Sequence, residues 1–248
     1  MQLWVTAEKF IRSITAATSV EEIDHIMRRA CAELGFEFFA LTHHVDILTA
    51  RSAIRVHNYP SQWADYYDRH AIGVSDPVHR ASHRTSVGFL WSNIPHLIPL
   101  TANDRRLLER GREEGIGDGF TVPAHVPGEA RGSVSFANRN GQPFATDKLA
   151  LAQLVGNFAF EAARQVWRQD HPGLLPTPVL TDRQRDCMLW AARGKGDWEI
   201  SRILGVRQVT VAMHIKQARE RYNVGKRTLV AIRALCEGTF TFDDIFDR

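Results

Sequence analysis

Apolar residues recur at helical spacing in the first two segments of the chain, predicting helices over about 5–16 and 20–34. The second reads SVEEIDHIMRRACAELG, with Ser19 as N-cap, acids in its first turn and Gly35 after its end. FEFFALTHHV and SAIRVHN then predict strands, followed by a helix starting at Pro60 and another at about 101–115. GFTVPAHV and RGSVSFAN, separated by PGEA, predict two more strands. From Thr146 to Arg168, TDKLALAQLVGNFAFEAARQVWR predicts a long amphipathic helix capped by Thr146. Helices at both ends with strands between them predict an α/β/α sandwich around a central antiparallel sheet.

The pattern breaks at DHPGLLPTPV, where Pro172, Pro176 and Pro178 interrupt any helix or ladder. Four helical segments follow: TDRQRDCMLWAARG capped by Thr181, DWEISRILG capped by Asp197, RQVTVAMHIKQARERYNV and KRTLVAIRALC. The expected organisation is therefore α+β: a first domain over 1–169, a linker over 170–179, an all-α four-helix domain over 180–237 and a tail over 238–248. The tail, GTFTFDDIFDR, has no role assigned by the pattern.

Composition narrows the class. A hydrophobic content of 44% in 248 residues supports packed cores. No apolar run approaches the roughly 20 residues of a membrane span, and MQLWVTAEKF lacks a basic region before an apolar core, so a cytoplasmic location without membrane association is expected. Cys31, Cys187 and Cys236 have no metal or disulfide spacing and are expected to be small buried residues. The net charge of +3 is unevenly placed: residues 181–236 hold twelve Lys and Arg against five Asp and Glu. Such a face can grip a polyanion.

On the third C-terminal helix, Val211, Ile215, Ala218 and Tyr222 share the core face, leaving Gln208, Ala212, Met213, Lys216 and Arg219 outside. A helix entering the major groove of double-stranded DNA needs that division, with base-reading side chains inside a basic rim. The alternative is a helical module with a merely solvated basic face. GKGDWEISRILGVRQVTVAMHIKQARERYNV resembles the helix-turn-helix of LuxR-type transcriptional regulators, through Gly194-Lys195, Glu199-Ile200, Thr210-Val211 and His214. The resemblance implies a phosphate contact by Thr210 and base reading by Ala212, Met213 and Lys216. It also implies that Lys226 to Cys236 supports a homodimer reading a two-fold symmetric site. Gln184 stands where the family usually has Glu.

NYPSQWADYYDRHAIGVSDPV, residues 58–78, concentrates Tyr59, Trp63, Tyr66 and Tyr67 before an isolated Asp76-Pro77. Trp63 and Tyr67 share a helix face, and Asp76 lies beyond in a loop fixed by Pro77. Indole N–H and phenol O–H donors facing a carboxylate acceptor suit a small ligand with carbonyl oxygens, an amide N–H and an apolar tail. The same pattern also fits a plain aromatic core beside a turn.

The segment resembles the signal-binding domain of LuxR-type quorum-sensing regulators, through Tyr59-Pro60, Trp63, Tyr67, Asp76-Pro77, Trp91 and Gly119 in order. That resemblance implies an N-acyl-homoserine lactone as signal ligand, with no cofactor. It implies donation from Trp63 to the lactone carbonyl, acceptance of the amide N–H by Asp76, and acyl-carbonyl contacts from Tyr59 and Ser135. Trp91 and Tyr67 would pack on ring and chain, and Gly119 would permit a close turn. An unoccupied site would leave Asp76 poorly satisfied. His44, Asp68 and His79 are expected to point to solvent; if they line the cavity instead, a short, oxidised or aromatic acyl group is implied.

Two alternatives stand beside this reading. One is a regulator of the same type sensing a different small molecule, host-derived or aromatic. The other is an enzyme using His43, His44, His79, His83, His96 and His125, but neither H-E-x-x-H nor G-x-S-x-G accompanies them and no metal site is indicated.

Overall fold

The computed structural model describes residues 2–45, 53–127, 129–143, 146–171 and 178–246. The chain forms two compact units, residues 1–125 with 130–174 and residues 126–129 with 175–248. No helix among the described residues is long and apolar enough to cross a membrane. Most of the proline-rich segment, 172–177, lies outside them.

The first unit runs α1 (Gln2–Thr15), α2 (Val20–Leu34), β1 (Phe38–His43), β2 (Arg55–His57), α3 (Ser61–Arg69) and α4 (Pro77–Ser82). It continues through β3 (Phe89–Leu90), α5 (Ile94–Leu97), α6 (Ala102–Glu113), β4 (Ile116–Ala124), β5 (Gly132–Arg139) and α7 (Leu149–Asp170). The sheet is antiparallel throughout, in the order β2-β1-β5-β4-β3. The sequence pattern located the principal strands and missed β3, α4 and α5, which are too short to show a period.

Alternation along the strands makes two unlike sheet faces. Phe39, Leu41, Val56, Phe120, Val122, Val134 and Phe136 point into the main core with residues of α1, α2 and α7. Burying such a side chain contributes about 1.5 to 3 kcal/mol relative to exposure. The opposite face carries Ala40, Thr42, Arg55, His57, Thr121 and Ser135. In register, Thr42 sits between Arg55 and Ser133, Ala40 between His57 and Ser135, and Ser135 opposite Thr121. This polar face is the floor of a cavity roofed by α3, α4 and α6.

Local chemistry explains the ends of several elements. Ser19 accepts from the Glu22 amide at 3.2 Å, and Gly35 closes α2 at φ 83°, as the sequence predicts. Thr101 and Asp104 form a reciprocal capping box on α6, and Asp104 also takes Arg80 of α4 at 2.8 Å, tying the two roof helices together. The expected cap Thr146 instead lies in a short 3-10 turn, and α7 starts at Leu149.

The second unit contains α8 (Asp182–Ala192), α9 (Asp197–Leu204), α10 (Gln208–Arg221), α11 (Arg227–Cys236) and α12 (Phe242–Phe246). Cys187, Met188, Ile200, Val211, Ile215, Ala218, Tyr222, Val230 and Ala234 form its core. Thr181 caps α8 as expected, whereas Gly196 rather than Asp197 caps α9. The tail is part of this unit: Phe240 is 1% exposed in the core, and Arg193 donates to the Asp244 carbonyl at 2.7 Å. Cys31 and Cys187 are buried, but Cys236 is exposed, because α11 turns Val230 and Ala234 inward and position 236 falls on the other side.

Candidate functional site: a small-molecule cavity and a helix-turn-helix

The cavity of the first unit has a volume of about 380 Å³. Tyr59, Trp63, Tyr67, Asp76, Trp91 and Ser135, the six residues singled out from sequence, all line it. Trp63 stacks on Tyr66 and meets Tyr67 edge to face, both at 5.9 Å between ring centres. Among the described residues, neither the Trp63 indole N–H nor the Tyr59 hydroxyl has a hydrogen-bond partner. Burial, reinforced by the Asp76 carboxylate, holds the Tyr59 and Tyr67 phenols above their ordinary pKa, so both remain O–H donors.

Asp76 differs from its expected state. It is the N-cap of α4, accepting from the Val78 amide at 2.7 Å, and its second oxygen accepts from the Tyr67 hydroxyl at 2.8 Å. The carboxylate is therefore satisfied before any ligand enters, and Tyr67 has a polar task besides packing. Gly119 also differs: it lies inside β4, not in a turn. A Cβ there would stand 2.4 Å from the Trp91 ring, so the glycine admits the indole, whose N–H donates to Thr121 at 2.8 Å. Thr121 and Ser135 share a hydroxyl hydrogen bond of 2.8 Å. Sequence spacing missed Thr121, which only the β4–β5 register brings beside Ser135.

His44 and His79 are the clearest correction. They do not face solvent: His79 is 8% exposed and lines the cavity, and His44 stacks on it at 3.8 Å. The His79 Nδ1–H donates to the Gly73 carbonyl at 2.7 Å, leaving Nε2 with a lone pair 3.4 Å from the Thr42 hydroxyl. His44 shares a 2.8 Å hydrogen bond with His83 and a 2.9 Å one with Ser133. Asp68 is partly exposed and ion-paired with Arg55. Burial, aided by the other imidazoles, lowers the His44 pKa well below 6.5, and burial beside Arg131 lowers His83 to about 4. Among the described residues, no group of three or more His, Cys, Asp or Glu could hold a metal ion.

In the second unit, α9 ends on Gly205 at φ 66°, and the turn through Val206 and Arg207 leads into α10. Val211, Ile215, Ala218 and Tyr222 face inward as expected. Ala212, Met213 and Lys216 are exposed, whereas Thr210 and Arg219 are half-buried. Val209, 69% exposed, was missed from sequence; its i, i+4, i+7 relation to Met213 and Lys216 puts it on the same stripe. Gln184 joins the Thr181 capping box and donates to Gln217 at 3.2 Å, a bond an ionised Glu could not donate.

Residues 19–163 match the model of the autoinducer binding domain, and residues 178–234 match that of bacterial regulatory proteins of the luxR family. The chain belongs to the LuxR family. Two relatives align with it over most of their own length. The chain is 26% identical to the transcriptional activator protein LuxR of Aliivibrio fischeri over 246 residues, covering 93% of each chain. It is 28% identical to the quorum-sensing regulator RhlR of Pseudomonas aeruginosa over 216 residues, covering 86% of this chain and 87% of RhlR. In fold, it matches the crystal structure of Escherichia coli SdiA with a TM-score of 0.69 at 24% identity, covering 95% of this chain and 98% of SdiA. As a LuxR-family transcriptional regulator, the chain combines an autoinducer-binding domain with a DNA-binding helix-turn-helix. These relatives are regulators rather than enzymes. Of the six histidines weighed for an enzyme, His79 lines the cavity, while His43 packs against Phe160 and Trp167 on the core side of the sheet.

Proposed function

We propose that the chain binds an N-acyl-homoserine lactone in its N-terminal cavity and, as a homodimer, a two-fold symmetric DNA operator. Its working division is 1–169 for signal, 170–179 as linker and 180–237 for DNA, with the tail 238–248 joined to the last through Phe240. The observation that carries the signal reading is the pair of unpartnered donors, Trp63 N–H and Tyr59 O–H, in one cavity with the Asp76 acceptor. Trp63 donates to the lactone carbonyl, Asp76 accepts the amide N–H, and Tyr59 with Ser135 serves the acyl carbonyl. Trp91 and Tyr67 pack on the ring and chain.

Thermal denaturation of the full chain across a panel of N-acyl-homoserine lactones tests this reading. A ligand at about one hundred times its dissociation constant adds roughly 2.7 kcal/mol of stability. A panel that leaves the transition unchanged sinks the reading. The polar groups on the cavity wall favour a second reading, in which the same regulator takes a different, more oxygenated small molecule.

For DNA, Thr210 contacts phosphate while Ala212, Met213, Lys216 and Arg219 face the groove and its rim. Leu229, Ile232 and Cys236, exposed along α11, support a dimer contact there, with half-sites roughly 34 to 36 Å apart or a multiple of this. Lys216 is exposed and only 3.8 Å from Glu220, so Lys216→Ala should leave folding intact. It should weaken binding to an operator selected from random duplexes by about 1 to 3 kcal/mol. Equal affinity in an electrophoretic shift titration removes Lys216 from the interface.

A further inference from the structure

The two ends of the cavity differ in chemistry. Arg112, Asp118, Asn140, Gly141 and Gln142 are exposed lining residues and mark its mouth, beside the paired Ile116 and Arg139 of β4 and β5. Phe38, opposite Ala137, belongs to this end, and Thr42 lies four residues further along β1, about 13 Å at the rise of a strand. Trp63 packs with Phe38, Ile116 and Ala137 in the mouth half. The far end, where a tail would stop, is walled by Thr42, Arg55 and His79 beside Val78, with His57 one row nearer the mouth, opposite Ala40.

Thr42 and His79 meet only through one long contact of 3.4 Å, wide enough for a ligand hydroxyl to improve on. The Gly73 carbonyl fixes the His79 proton on Nδ1, leaving the Nε2 lone pair beside the Thr42 hydroxyl. The buried Nδ1 of His57 has no partner among the described residues. An alkyl tail against this wall would take the Thr42 hydroxyl and His79 Nε2 out of water with only their long mutual contact in return, where a buried polar group left poorly paired costs about 1 to 3 kcal/mol. The wall carries little net charge, because Arg55 is paired with Asp68 and burial beside Arg55 lowers the His57 pKa. A carboxylate tail would therefore find no free cation there and would lie near the Asp68 and Asp76 carboxylates.

We propose that the cavity selects a signal whose tail ends in a neutral hydroxyl, which donates to His79 and accepts from Thr42. The proposal rests on the lactone reading above and adds the chemistry of the tail. From the Ala40–Ser135 row to the Thr42 row is two residues, about 7 Å, so the tail is short.

Isothermal titration of the full chain with three homoserine lactones of equal tail length, ending in methyl, hydroxyl or carboxylate, tests it. The ω-hydroxyacyl lactone is expected to bind at least tenfold more tightly than either of the others. His79→Leu and, independently, the near-isosteric Thr42→Val should each shrink that preference to about threefold or less. The second variant keeps the test decisive if the first fails to fold. Equal binding of the methyl and hydroxyl ligands overturns the tail proposal and keeps the lactone reading. Tighter binding of the carboxylate overturns it as well. Absence of binding by all three overturns the lactone reading together with it.

Discussion

Asp76→Asn is expected to weaken signal binding by about ten- to a hundredfold without unfolding α4. Asparagine caps a helix about as well as aspartate, so the bond from the Val78 amide survives. What disappears is the charge. A hydrogen bond to an ionised group is worth about 1.5 to 3 kcal/mol, against about 1 for a neutral pair. Two bonds on this oxygen pair would feel the loss: the one from Tyr67 and the one proposed from the ligand amide. The readout is the ligand concentration giving half-maximal stabilisation, measured beside the unliganded melting curve. A curve that moves without the affinity moving would make Asp76 a structural cap alone.

Acid should unfold the first unit early. His43 is 5% exposed, packed edge-on against Phe160 and Trp167, and burial lowers its pKa to about 4. Its Nδ1 accepts from the Ile54 amide at 3.2 Å, so the native ring is neutral with its proton on Nε2. His44 and His83 are also lowered, and their shared 2.8 Å bond is lost if both facing nitrogens carry protons. Each depressed histidine leaves the native state with fewer bound protons than the unfolded chain. Stability is therefore complete above about pH 6.5 and falls as the pH drops toward 4. At 1.36 kcal/mol per pKa unit, His43 alone accounts for about 3 kcal/mol of that loss. Urea unfolding between pH 7.5 and 4 measures it, with tryptophan fluorescence as probe. A free energy flat across that range would mean that the imidazoles are hydrated or charged in the native state.

Much of the cavity was legible before its shape was known because its members are bound by short-range rules. Trp63 and Tyr67 are four apart on α3, and Asp76 precedes a proline at a helix start. The core face of α10 was legible for the same reason, since Val211, Ile215, Ala218 and Tyr222 keep a single helical period. The histidine cluster obeys no such rule. His44 follows β1, His79 sits on the six-residue α4, His83 is its C-cap and His125 follows β4, so only the tertiary fold brings them together. Periodicity cannot tell a buried polar side chain from a solvated one, and that is why His44 and His79 were expected outside. Gly119 was recognised as special, but its reason, the Trp91 ring pressed against the strand, depends on a segment nearly thirty residues away.

The two-faced sheet separates two kinds of evolutionary change. Along β1 and β5, neighbouring positions belong alternately to the apolar core and to the cavity wall. On the proposed signal reading, a substitution at Thr42 or Ser135 alters which molecule is heard, while Leu41 and Val134 continue to secure the fold. The lineage can therefore retune its vocabulary by single-codon steps without first accumulating spare stability.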